Sequence, residues 1–105
     1  MDQKTRDVLI AARAIIADPA MWYQGGWSAS GAKYNLSEPC CAECAIFRAD
    51  ADHNGVVVSA YRAISAMQVF TPHHRRIDIF NDAATTTHAD IMAVFDRSIA
   101  GEQVA

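Results

Sequence analysis

Prolines at positions 19, 39 and 72 divide this chain at points that no helix interior can bridge. A proline ring removes an amide donor and clashes with the carbonyl four residues back, so it is tolerated only in a helix's first turn. Any helical architecture must therefore be assembled from short rods that begin or end near those three points. At 105 residues there is chain for one domain with one core. Apolar residues make up 51% and charged residues 20%, the balance of a globular protein rather than a disordered one.

Helical periodicity fills the rods. Val8, Leu9, Ala12, Ile15 and Ile16 fall on one helical face, Asp2 or Thr5 can cap the start, and Pro19 stops the run. Met21 to Trp27 carries Trp22, Tyr23 and Trp27 beside Gly25-Gly26, and residues 20–36 read as an irregular aromatic and glycine-rich loop. Ser37 is placed to cap a second helix with Pro39 in its first turn. Cys41, Cys44, Ala45 and Arg48 share one side of that helix, Phe47 flanks them, and Asn54-Gly55 supplies a left-handed stop. Val57, Ala60, Tyr61, Ile64 and Met67 define a third helix ended by Pro72, although Val56 to Val58 also suits a strand. Ile77 and Ile79 alternate with Arg76 and Asp78, which reads as a short extended segment before an Asn81-Asp82 turn. Thr87 and Asp90 form a capping-box pattern for a last helix bearing Ile91, Met92, Phe95 and Ile99, closed by Gly101. The expected fold is mainly α. It is a single domain over 1–105, a compact array of about four helices with at most a short strand or hairpin and a short tail at 102–105.

Composition excludes several functions. No apolar run approaches the roughly 20 residues a bilayer-crossing helix needs. Val8 to Ala17 is interrupted by Arg13, so it is a poor signal-peptide core. Cys40, Cys41 and Cys44 are an odd, clustered set that cannot form a spread disulfide framework, which suits a reducing, cytoplasmic setting. A formal net charge of −3 disfavours nucleic acid, and neither a nucleic-acid nor a membrane partner is expected. The basic run His73-His74-Arg75-Arg76 can hold a phosphate or carboxylate, but its plainer role is a solvated loop.

Three local patterns bear on chemistry. Asp50-Ala51-Asp52-His53-Asn54-Gly55 matches the opening of an EF-hand calcium loop, yet Tyr61 occupies the twelfth position, where a bidentate glutamate is required. Over residues 50–61 it is therefore a degenerate loop. Cys41-Ala42-Glu43-Cys44 has CxxC spacing, with His53, His73 and His74 as further donors, but that is half a zinc site without a second half in register. Packed core thiols explain the cysteines more simply. Cys41 near a helix start, His88 at another, and Asn81 or Asp82 to orient the imidazole are the parts of a cysteine nucleophile site. Turn formation and capping account for the same residues without chemistry.

The run from Leu9 to Gly25, the pair Ile79-Phe80-Asn81-Asp82-Ala83 and Thr87-His88, and Asp96-Arg97-Ser98-Ile99-Ala100 together resemble a small bacterial and phage family known as domain of unknown function 6197. Cys41-Ala42-Glu43-Cys44-Ala45 is similar to that family's Cys-Ala-x-Gly-Ala segment, with Cys44 in place of the glycine. Phe80 stands where a tryptophan usually precedes Asn-Asp. The resemblance implies a fold and a set of positions, Trp22, Cys41, Asn81, Asp82 and His88, and no established activity.

All five positions fall at expected helix ends, where polar groups meet unpaired backbone donors and carbonyls. They are therefore expected to gather at one end of the array. The leading expectation is a binding or interaction domain for a small anion or a partner protein, with no cofactor and no metal. The alternatives are a cysteine-dependent hydrolase or transferase using Cys41 and His88, and a metal-binding module at the cysteines or at 50–61.

Overall fold

The apolar stripe at 8–16 becomes the packing face of α1, Gln3–Ile15, in a computed structural model that describes residues 1–31, 37–53 and 58–101, with the backbone alone for 51–53. Val8, Leu9, Ala12 and Ile16 are fully buried. Asp2 caps the helix, its carboxylate accepting the Thr5 N–H at 2.8 Å. Pro19 then opens a single 3-10 turn, Pro19–Met21, instead of further helix.

The helix that follows is α2, Ala42–His53. From Cys41 to Asp50 every residue except Glu43 is buried, and α2 packs against α1, against α3 (Val58–Gln68) and against α4 (Ile77–Asp82). A helix enclosed on all sides cannot present large residues everywhere. Ala42, Cys44, Ala45 and Ala49 keep its surface low enough for Ala12 of α1 and Ala60 and Ala63 of α3 to approach. The last helix, α5 (His88–Ala100), closes over α1 and α3 with Ile91, Val94 and Phe95 buried. Its capping box between Thr87 and Asp90 is present in both directions, and Gly101 ends it at φ 67°. The exposed pairs Arg13–Asp96 and Arg62–Asp2 lie across the α1–α5 and α1–α3 seams, each worth at most about 1 kcal/mol.

Among the described residues the chain is mainly helical and has no strand, only isolated bridges from Cys40 to Trp22 and to Ser28. No helix among them is long and apolar enough to cross a membrane. Three sequence expectations need correction. Residues 77–82 are helix, not an extended segment: Ile77, Phe80 and Asn81 are buried at helical spacing, while Ile79 points outward at 48% exposure. Two alternating isoleucines are too short a pattern to separate a strand from one helical turn and a half. Tyr61 is not a core residue of α3; it is 58% exposed, with its ring edge-on to Phe47. The second helix starts at Ala42, not after Ser37, for reasons that belong to the site below. Residues 32–36 of the expected loop, Asn54 to Val57 with their stop and strand alternative, and the tail 102–105 lie outside the described residues.

Two polar features deepen the fold. Pro72–His74 forms a turn in which His73 and His74 adopt left-handed φ values of 57° and 51°. The buried Thr71 hydroxyl lies 2.9 and 2.7 Å from the carbonyls of Gln68 and Arg75, bracing that turn from inside. Arg48 is fully buried within α2, where a guanidinium persists only if it is partnered. It donates to the Glu38 carbonyl at 3.0 Å. The Glu38 carboxyl is held below the usual range by hydrogen bonds from Ser28 and Ser30, with Arg48 adding electrostatically. Arg48 thus ties the segment before α2 to the helix interior. Arg48→Ala is expected to lower the unfolding free energy by about 2–4 kcal/mol, and Arg48→Lys to recover less than half of that. Urea denaturation midpoints at constant slope check it.

Candidate functional site

Asn81 sits in the last turn of α4, fully buried. Its amide oxygen accepts from the Trp22 indole N–H at 2.7 Å and from the Ala42 backbone N–H at 3.0 Å. Its amide nitrogen donates to the Tyr23 carbonyl at 3.0 Å and to Asp82 Oδ1 at 2.9 Å. A carboxamide has two donors and two lone pairs on oxygen, so this one is saturated. The four bonds join the aromatic loop, the head of α2 and the end of α4.

The same bonds explain where α2 begins. Cys40 donates to Met21 O and accepts from Tyr23 N–H, and Cys41 N–H donates to Trp27 O. With its backbone committed to the loop, residue 40 is extended and helix can start only beyond it. Cys41 is the cap: its Sγ accepts the Cys44 N–H at 3.3 Å, while Asn81 takes the Ala42 N–H from another helix. Serine or aspartate would have signalled this start; a thiol is a weak acceptor and gives no such cue.

Asp82 Oδ1 also accepts the Gly25 N–H at 2.9 Å. Gln24 Nε2 bonds the carbonyls of Ala83 and Thr86, a second strap that the sequence reading did not single out. Gly25 and Gly26 turn the loop at φ 110° and 145°, a region side-chain-bearing residues rarely occupy. His88, at the start of α5, places Nε2 2.7 Å from the Ile16 carbonyl at the end of α1, so that nitrogen carries the proton. Its ring lies 5.9 Å from the Trp22 ring. Trp22, Asn81, Asp82 and His88 are thus linked to one another, and Cys41 adjoins them through Ala42. All five expected positions come together at one end of the array.

Beside them opens a cleft of about 290 Å³. Gly26 and Trp27 line it from the loop, Cys41 and Glu43 from the head of α2, and Asp82 from the end of α4, with Arg76 and Asp78 at its start. Cys41 and Asp82 therefore reach the cleft, whereas Trp22, Asn81 and His88 are not among its lining residues; of these three, Asn81 bonds a lining residue directly, through Asp82. Arg76 forks onto Asp78 with bonds of 3.2 and 2.8 Å. Of the lining residues, Glu43 and Asp78 carried no sequence signal of their own. Burial pushes the Cys41 thiol up to about 12, and Cys40, hydrogen-bonded with Cys44 and buried, is also raised. Among the described residues no three histidine, cysteine, aspartate or glutamate side chains group as metal ligands would. Asp50, the first position of the degenerate calcium loop, is buried within α2.

A family model described as Family of unknown function (DUF6197) matches residues 1–101. The chain belongs to this family. No curated protein and no solved structure matches it. In this DUF6197 chain, Cys44 sits wholly buried on α2, and Phe80, next to Asn81 on α4, is buried in the core.

Two outcomes follow from the geometry. Asn81→Ala strands the Trp22 and Ala42 donors and the Tyr23 carbonyl, and should destabilise the fold by at least about 2 kcal/mol. Asp82→Ala, at the exposed end of the same network, should cost about 1 kcal/mol. Equilibrium denaturation of both variants checks the ordering. For Cys41, an unfolded thiol ionises near pH 8.5 while the folded one holds its proton to about 12. The stability this confers is complete below about pH 8.5 and is lost as pH rises toward 12. Native Cys41 should accordingly alkylate with iodoacetamide at neutral pH at least ~100-fold more slowly than in urea-unfolded protein. Mass spectrometry of time-quenched samples reads the two rates.

Proposed function

We propose that this DUF6197 chain is a non-catalytic binding domain whose small ligand enters the cleft at the head of α2. The observation that carries this reading is the construction of the cleft. Its walls come from the aromatic loop, α2 and α4, and the Asn81 amide bonds to all three. A cavity held this way is preorganised, so binding loses little to ordering the protein. At about 290 Å³ it lies near the lower end of ligand pockets, which favours a compact molecule over a protein surface.

The features of Cys41 and His88 favour binding over a cysteine nucleophile. A catalytic thiol needs a lowered pKa and a base within reach. Cys41 is 4% exposed with a raised pKa, and His88 Nε2–H is committed to Ile16.

A nitrogen-15 correlation spectrum recorded against a charge-diverse set of small polar molecules tests the proposal. Hits should move the amides of Gly26 and Glu43 and the Trp27 indole, and should lose effect in Asp78→Trp, which fills the cleft from its rim. Shifts confined to another face, or none at millimolar ligand across the set, would sink it.

A further inference from the structure

We infer that the basic turn at residues 73–76 is a docking element for a short acidic segment of another protein, whose carboxylates pair with Arg75 and Arg76. The surface is separate from the proposed ligand site: all four residues are exposed, and only Arg76 lines the cleft.

The backbone supplies the first reason. The Arg75 N–H donates to the Pro72 carbonyl at 3.3 Å, and the two residues enclosed, His73 and His74, both have positive φ. Two left-handed residues in succession are the pattern of a type I′ turn, which asparagine followed by glycine suits best. Histidine carries a Cβ into that region at both positions, so the conformation is strained. The fold imposes it all the same, with the buried Thr71 hydroxyl bracing the turn against the Gln68 and Arg75 carbonyls. Strain kept on open surface, where an easier sequence would close the same turn, points to a use for the side chains themselves.

Those side chains are uncommitted. Among the described residues, His73, His74 and Arg75 make no side-chain hydrogen bond or ion pair. Arg76 gives Nε and Nη2 to Asp78 and keeps further N–H groups to donate. Guanidiniums take carboxylates through paired N–H groups, and the adjoining imidazoles add donors.

The extent of the patch selects the partner. The chain carries 12 acidic against 9 basic residues, so this positive stretch stands on a molecule of net charge −3. A nucleic acid or an anionic membrane would run beyond the turn onto negative surface, whereas a short run of glutamates or aspartates can end within it. A contact confined to one turn is small and open to water, so it is transient and salt-sensitive.

Fluorescence anisotropy of labelled octaglutamate on the whole chain, with octaglutamine and octathymidylate as controls, tests this. Octaglutamate should bind, move the backbone amides of His74 and Arg75, and weaken about 10-fold or more between about 50 and 300 mM NaCl. Octaglutamine should not bind, and octathymidylate should bind more weakly than octaglutamate. Arg75→Glu should weaken octaglutamate about 10-fold or more in a protein of unchanged circular dichroism. The double variant His73→Asn with His74→Gly should melt at a higher temperature, because the turn is relieved, yet hold octaglutamate about 3-fold or more less tightly. Silence from octaglutamate at millimolar concentration, equal or tighter binding of either control, or full affinity in Arg75→Glu or in the double variant overturns the proposal. So does a melting temperature that fails to rise, since the strain is then absent.

Discussion

One buried carboxamide holds the functional end of this protein together. Asn81 brings a tryptophan side chain, a loop carbonyl, the first amide of the central helix and an aspartate into a single set of bonds, each near 3 Å or shorter. Buried polar groups are tolerable when every donor and acceptor is used, and costly when one is left over. That asymmetry makes the arrangement specific. A loop placed slightly differently, or a helix started one residue earlier, would leave at least one of these groups unpaired in an apolar setting. The residue therefore fixes geometry more than it adds net stability.

The central helix imposes a complementary constraint. Because α2 is enclosed by three others, its small residues set how near they can come, and its one large polar residue, Arg48, must find partners inside. It finds the Glu38 carbonyl, which anchors the chain just ahead of the cleft. Two unlike polar devices thus restrain the entry to α2, one from the loop side and one from within. Between them they account for how a segment rich in glycine and serine holds a definite course over residues 21–31 and 37–41.

Much of this was legible in the sequence. The stripe of α1, the Asp2 cap, the Thr87–Asp90 box and the Gly101 stop are local signals, and local signals suffice for exposed or half-buried helices. The gathering of Trp22, Cys41, Asn81, Asp82 and His88 followed from their placement at helix ends. What sequence did not show is what depends on distant partners. The start of α2 is set by Met21, Tyr23, Trp27 and Asn81, none of them within ten residues of Cys41. Residues 77–82 are helix because Ile77, Phe80 and Asn81 all find burial, which an alternating pair of isoleucines does not announce. Glu43 and Asp78 look like ordinary surface charge until the fold brings both into the lining of one cleft.

The bonds that join Asn81 and Asp82 to the aromatic loop and to the head of α2 span 39 to 59 residues of chain. Contacts of such long range form late, after the loops between them have closed, and they cannot be kept by any single helix or hairpin. The cleft is therefore a property of the completed fold, with no partly folded form able to retain it. Any molecule that occupies it binds only the native state, and by mass action its free energy of binding is added to the stability of the entire domain, raising the melting temperature in step with ligand concentration.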